Sequence, residues 1–368
     1  MNTVGTLCLG CAFIFIHAFV ASDSHAQTGQ YASIQGTIRD ATTGRPVENV
    51  NVFLASTSYG TGSRTDGTFQ LADIPTGHYQ IVFSQVGYMS EAFTLDIEKA
   101  EPREFNVKLT ARVISLGEVE VSAEGDEYQR QYRNLLGMFL REFIGSRPNA
   151  ELCKLTNPGD LRLSLEGENI IHARAVGPIQ IENRAIGFTL RVDLQDFVWW
   201  RTPNIGTIIV YPQFISLKPR DREEETLWRR NRRRSYFGSL THFLRALYEG
   251  KNYKEGFRIQ TGPVDEFLRG EAPLMDPDYF SVTADSGGQY KALRLNKWVR
   301  ISYIGKFSRT TSLISVHGDA ALFDASGSLR DLTTLNVGGD WAAYRMSDML
   351  PLNIGPADLF EESEDTGR

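Results

Sequence analysis

Residues Ile34–Tyr88 read IQGTIRDATTGRPVENVNVFLASTSYGTGSRTDGTFQLADIPTGHYQIVFSQVGY, and this stretch decides the fold. Ile34, Gly36 and Ile38 fall on one strand face, as do Val50, Val52 and Leu54, then Tyr79, Ile81 and Phe83. Phe105, Val107 and Leu109 repeat the pattern further on. Side chains alternate across a strand with period two, so each set can line one core. The punctuation agrees. Thr43-Gly44-Arg45-Pro46 predicts a turn, because Gly allows positive φ and Pro presets its own. Asp66-Gly67 is a hairpin signal, and Pro75-Thr76-Gly77 opens the next strand. Turns this close together between short strands predict a small β-sandwich.

The same residues carry a family resemblance. Gly36-x-Ile38-x-Asp40, Thr43-Gly44-x-Pro46-Val47, Thr65-Asp66-Gly67-x-Phe69, Pro75-x-Gly77-x-Tyr79 and Gly87-Tyr88 together resemble the carboxypeptidase regulatory-like domain. The resemblance implies a transthyretin-like, Ig-like β-sandwich. In bacteria of the Bacteroidota type this domain often precedes the plug and barrel of TonB-dependent transporters. It also occurs in exported proteins without a transporter. It implies a fold and an accessory role, not peptidase activity. A transporter is excluded by length, since roughly 245 residues remain, without the repeated amphipathic strands of a large barrel.

At the start of the chain, Leu7–Val20 is apolar apart from Gly10 and His17, and Ser24-His25-Ala26 offers small residues for cleavage before Gln27. Residues 1–26 are therefore read as a signal peptide, too short for a comfortable membrane span. No Lys or Arg precedes the apolar run, and Leu9-Gly10-Cys11 leaves a retained or lipidated anchor open. The expected location is the periplasm or the outer-membrane surface. Cys8 and Cys11 would leave with the signal, so Cys153 would stand alone without an internal disulfide. The chain is 41% hydrophobic and 23% charged, which is ordinary globular material. Its net charge of -6 argues against general nucleic-acid binding, which wants a basic domain.

After a sandwich at 31–121 and a polar linker at 122–126, the chain changes character. Tyr128, Tyr132, Leu135, Leu136, Phe139 and Phe143 form one helical stripe, with Asp126 as N-cap and Gly145 past the end. Residues 160–215 read as strands, including a return at Glu166-Gly167-Glu168-Asn169. A long helix is predicted from about Arg222 to Tyr248. Further strands are expected near Phe257, at Trp298–Ile304 and at Leu313–His317, and a short helix from Trp341 to Leu350 before Pro351. Residues 127–355 thus read as an α+β domain with antiparallel sheet, followed by a polar tail at 356–368. Asn157-Pro158, Ile181-Glu182-Asn183, Tyr236-Phe237-Gly238-Ser239, His242-Phe243-Leu244 and Leu350-Pro351 resemble the partner region of stand-alone exported proteins of the same bacterial group. That resemblance implies a stable two-domain unit and transfers no mechanism. The fold class is mainly β.

Searches for catalytic residues find little. A zinc carboxypeptidase needs a His and a Glu three apart plus a distant His. His78, His172, His242 and His317 lack Glu at +3, so no metal site, no cofactor and no catalytic set are assigned. Asp285-Ser286-Gly287-Gly288 lacks the flanking residues of a serine-protease nucleophile, and Gly238-Ser239 lacks a nucleophile elbow. The positive signal is Trp228-Arg229-Arg230-Asn231-Arg232-Arg233-Arg234. Arginine forms bidentate bonds to phosphate and carboxylate, so Trp228, Arg229, Arg230, Arg232, Arg233 and Arg234 are a candidate binding patch. Envelope proteins, glycans, anionic lipid and lipopolysaccharide are its candidate partners. The bland alternative is a solvated helix balanced by Glu223-Glu224-Glu225. Trp199, Trp200 and Tyr211 could form a sugar platform, against ordinary core packing. The sequence reading is a non-enzymatic envelope binding or scaffolding protein. The alternative is a hydrolase with an unfamiliar site in the second domain.

Overall fold

The computed structural model describes residues 31–112, 126–261, 280–285 and 288–360. The expected signal, the linker, the strand at Glu118–Val121 and the end of the tail lie outside the described residues.

The sandwich contains β1 (Tyr31–Asp40), β2 (Asn51–Leu54), β3 (Gly60–Gly62), β4 (Thr68–Pro75), β5 (Gly77–Ser84), β6 (Glu91–Ile97) and β7 (Arg103–Leu109). One sheet runs β4-β1-β7, and the facing sheet runs β3-β2-β5-β6. Ile34, Ile38, Val50, Val52, Leu54, Ile81, Phe83, Val107 and Leu109 are buried in one core, as their period-two spacing requires. Asp66-Gly67 does make a tight turn, with Gly67 at φ 78° and Arg64 N–H donating to the Thr68 carbonyl at 2.8 Å. It closes no hairpin, however. The strands on either side, β3 and β4, belong to opposite sheets. The turn is held instead by Ile38 N–H, which donates to the Gly67 carbonyl at 2.8 Å.

The motif residues explain one another. Asp40 accepts from the Thr42 and Thr43 N–H groups at 2.9 and 2.6 Å, and Tyr88 donates to its second oxygen at 3.1 Å. The Thr43 hydrogen bonds hold the Asp40 carboxyl below its ordinary pKa. Gly36 sits where β1 pairs with β7, and a Cβ there would lie 1.7 Å from the Phe105 carbonyl oxygen.

The second sheet of the sandwich is covered on both sides. Phe53 and Val82 alternate with the core residues and so face away from the sandwich core, yet they are buried, as are Asn51 and Ser84. The sandwich docks here on the rest of the chain.

That remainder holds two hydrophobic cores. The first lies under α1 (Asp126–Phe143) and a six-stranded antiparallel sheet of β8 (Cys153–Leu155), β9 (Leu161–Glu166), β10 (Ile170–Ala175), β11 (Ile179–Asn183), β12 (Phe188–Trp200) and β13 (Ile205–Ser216). β12 pairs with β11 and β10 on one side and with β13 on the other. Phe139 and Phe143 from the helical stripe stack at 4.8 Å and meet Phe197. Gly145, at φ 107°, stands just beyond α1 as expected. The second core gathers α2 (Arg222–Tyr236) and α3 (Leu240–Tyr248), then β14 (Phe257–Thr261), β15 (Phe280–Ala284), β16 (Lys291–Leu295), β17 (Val299–Ile304), β18 (Arg309–Val316), β19 (Ala321–Phe323) and β20 (Leu335–Gly339). Its sheets run β14-β17-β18-β20 and β15-β16-β19.

Three further expectations are corrected. The helix predicted over 222–248 is two helices, because Gly238 takes φ 83° and Ser239 caps α3 by accepting from His242 N–H at 3.1 Å. Trp341–Leu350 is not a helix beyond a 3-10 turn at Asp340–Ala343. Trp341 Nε1 is tied to the Gly238 carbonyl at 2.6 Å, and Met346 and Ser347 N–H groups donate to carbonyls at the end of α1, so the segment is drawn out of helical form. Pro356–Phe360, expected within the polar tail, is a short helix with Leu359 buried.

Replacing Gly36 by Ala sets a methyl against the Phe105 backbone, which cannot rotate away. Gly36→Ala is expected to cost about 1–3 kcal/mol by overpacking. Thermal or urea unfolding checks this, and an unchanged midpoint would contradict the close approach of β1 and β7.

Candidate functional site

The arginine run does not form one surface. On an α-helix its residues point in successive directions about 100° apart. Trp228 is buried, and its Nε1 donates to the Arg184 carbonyl at 2.7 Å beneath Gly187. Arg232 Nε donates to the Ile186 carbonyl at 2.7 Å while its guanidinium lies 4.6 Å from the Phe188 ring. Arg233 Nε donates to the Leu359 carbonyl at 2.7 Å and covers Phe307. Arg229 pairs with Glu225 one turn earlier. Arg230 and Arg234 are exposed. Nearby, Arg184 grips Glu224 with two bonds of 2.6 Å, which hold the Glu224 carboxyl down to about 2. Much of the run thus fastens α2 to the β11–β12 turn and to the C-terminal helix.

Other sequence candidates resolve in the same structural direction. Trp199 and Trp200 lie on opposite faces of β12, so they share no platform; Trp199 is buried and donates to Asn204 at 3.1 Å. Cys153 donates to the Asn149 carbonyl at 3.4 Å, and burial pushes its thiol up to about 12. Ser286 and Gly287 lie outside the described residues. His242 is 3% exposed and ringed by Tyr236, Phe237, Phe257 and Tyr303. Its Nδ1 accepts from Gly238 N–H at 3.1 Å. Burial, with Arg245 adding to it, pushes its pKa down to about 4; the partly exposed Glu255, 3.5 Å away, does not offset this. Among the described residues no group of three or more His, Cys, Asp or Glu is placed to hold a metal ion.

One arrangement suited to a ligand was not read from the sequence. A cleft of ≈ 630 Å³ opens where the sandwich meets the second core. The sandwich wall brings Tyr59, Thr76, His78 and Tyr79; the facing wall brings Tyr248, Gln289, Ser326 and Asn353. The walls are tied together. Tyr290 donates to Asp96 at 2.6 Å, and Asp96 also meets His78 Nδ1 at 2.7 Å. Asn353 donates to Ser58 Oγ at 2.8 Å, and Leu352 N–H to the Ser56 carbonyl at 2.8 Å. Burial works to raise the Asp96 pKa, but the Tyr290 and His78 hydrogen bonds hold it below its ordinary value. Burial raises the pKa values of Tyr59 and Tyr79, so both stay phenols. His78, held through Nδ1 by Asp96, lines the cleft. The site can therefore offer ring faces beside donors and acceptors.

Residues 34–121 match the family model of the CarboxypepD_reg-like domain. The sandwich is a CarboxypepD_reg-like domain. It supplies one wall of the cleft, and the region after it supplies the other. No curated protein matches the chain. Among solved structures, a type II cohesin–X-dockerin complex of Acetivibrio cellulolyticus matches at 16% identity and TM-score 0.18, over 21% of this chain and 52% of that one. The chain therefore spans about half the length of that protein. A DUF3823 family protein from Parabacteroides merdae matches at 13% identity and TM-score 0.18, over 51% and 80% of the two chains. A candidate carbohydrate-binding protein from Bacteroides uniformis matches at 10% identity and TM-score 0.19, over 84% and 98%. With scores this low these likenesses carry no argument about this chain.

Two outcomes test the local readings. Arg232→Ala removes a buried carbonyl's donor and a ring contact and is expected to cost about 1–2 kcal/mol. Arg230→Ala and Arg234→Ala should stay within about 0.5 kcal/mol, and equal losses in urea unfolding would contradict the division of the run. For His242, the folded pKa lies below the unfolded value of 6.5. Between pH 6.5 and 4 the unfolded chain binds a proton that the folded chain refuses, so stability falls as pH falls. The slope approaches about 1.4 kcal/mol per pH unit inside that window and vanishes outside it. Urea midpoints of the wild type and His242→Asn should converge toward low pH; parallel profiles would refute the buried neutral imidazole.

Proposed function

We propose that this is a non-enzymatic binding protein of the bacterial cell envelope, and that the ligand held between its CarboxypepD_reg-like domain and the second core is a glycan. The proposal includes export, as the N-terminal apolar run suggests. One observation carries it: the cleft sets Tyr59, Tyr79 and Tyr248 among His78, Gln289 and Asn353. A sugar ring has an apolar face that stacks on an aromatic side chain and a rim of hydroxyls that needs paired donors and acceptors. Ligand sites combine a ring-rich lining with a few oriented polar groups in this way. The Asp96–His78 and Asn353–Ser58 bonds fix those groups before any ligand arrives, which lowers the ordering cost of binding.

The test is a glycan array followed by calorimetry on the best saccharide. Thr76 and Ala325 are exposed and line the cleft, so Thr76→Trp or Ala325→Trp should block it without disturbing either core. Affinity is expected to fall at least tenfold, about 1.4 kcal/mol. Saccharide binding that ignores both variants would remove the cleft from the proposal. Cleavage of the bound saccharide would replace it with the hydrolase reading.

A further inference from the structure

The edge of β13 is half used. Ser56 N–H donates to the Pro212 carbonyl at 2.6 Å, and Phe214 N–H donates to the Thr57 carbonyl at 2.9 Å, making a parallel bridge between Thr57 and Gln213. The sandwich thus caps the far end of this edge with a single bridge. Outward main-chain groups recur at every second residue of a strand. Since Pro212 and Phe214 point outward, so do Gly206, Ile208 and Val210. Among the described residues nothing pairs with the edge from Ile205 to Tyr211.

This open edge lacks the usual protection. Natural edges are blunted by Lys, by Pro, by bulges or by shortness. From Thr202 to Leu217 the chain carries no charge, and Pro203 and Pro212 lie outside the seven open residues. The one register shift of the β12–β13 pair falls between Leu194 and Asp196, on β12. The outer face is apolar: Ile205 is 58% exposed and Ile209 46%, with Trp200 opposite Ile205.

We propose that this edge pairs with the same edge of a second copy of the chain, antiparallel about a two-fold axis at Ile208. The pairing continues the use that the Ser56–Thr57 segment already makes of the edge. A two-fold axis sets a strand against its own reverse, so any charge near the axis would meet a like charge close by. This strand has none. With the axis at Ile208, Gly206 faces Val210, Thr207 faces Ile209 and Ile205 faces Tyr211. The small residue meets the branched one, and the exposed isoleucines of both copies join on one face. Three hydrogen-bonded pairs exchange about six main-chain bonds. The interface is isologous and closes at two copies.

Size-exclusion chromatography with light scattering tests this on the intact protein. The wild type is expected to elute with twice the chain mass. Thr207 and Ile209 are exposed, so substitutions there leave the cores alone. Thr207→Lys/Ile209→Lys places ammonium groups opposite each other and should give monomers with unchanged circular dichroism. Thr207→Lys/Ile209→Glu should restore the dimer, because the two positions face each other across the axis. A monomeric wild type, a dimeric Lys/Lys variant, or a Lys/Glu variant that stays monomeric would each overturn the proposal. A monomer that instead captures an extended peptide along β13 would do so as well.

Discussion

A buried amide pair fixes the relation between the sandwich and everything after it. Asn51 Nδ2 donates to Gln213 Oε1 at 2.8 Å, from the middle of the second sandwich sheet to the edge of the six-stranded sheet. Both side chains are buried, so leaving either unpaired would cost about 1–3 kcal/mol. Main-chain bonds on either side, Ser56 to Pro212 and Phe214 to Thr57, prevent the pair from sliding. The close fit is visible at Gly60, where a Cβ would lie 2.0 Å from the Gln213 amide nitrogen. Because this contact is specific, the cleft has walls of defined separation, and His78 and Tyr290 can meet the same carboxylate. A domain on a loose tether could not hold such a site.

Much of the architecture follows from periodicity. Period-two alternation identified the core faces of β1, β2, β5 and β7, and the helical stripe identified Phe139 and Phe143. Alternation could not announce that Phe53 and Val82, on the other face, would also be buried. Their burial depends on residues more than a hundred positions away. The same holds for the cleft, whose walls join Tyr59 and His78 to Tyr248 and Asn353. The arginine run shows a related limit. Composition shows the charge, but only the helix phase and the neighbouring turn show that Arg232 and Arg233 serve backbone carbonyls. Asp66-Gly67 specified a turn correctly and could not specify which sheet each flanking strand would join.

The second core shows how one residue can organise three elements. Gly238 ends α2 in a conformation that glycine adopts freely. Its N–H goes to His242, while its carbonyl receives Trp341 Nε1 and Thr310 Oγ1. Thus α3, β18 and the C-terminal segment converge on one peptide unit. A side chain at this position would meet the Tyr303 ring at 2.6 Å. Backbone conformation and packing therefore make the same demand of this residue, and local and global preferences agree.

The chain order of the docking contacts has a temporal consequence. The sandwich lies early in the sequence, and among the described residues its own core is built from residues 32–109. Its outer sheet face, with Phe53 and Val82, is finished only when residues 212–214 arrive, and the Ser56–Ser58 segment only when Leu352 and Asn353 follow. A ribosome delivers those partners late. Between the synthesis of residue 109 and that of residues 212–214 the chain therefore carries the sandwich sequence with its outer apolar face still uncovered. That face is where a chaperone would have to stand guard.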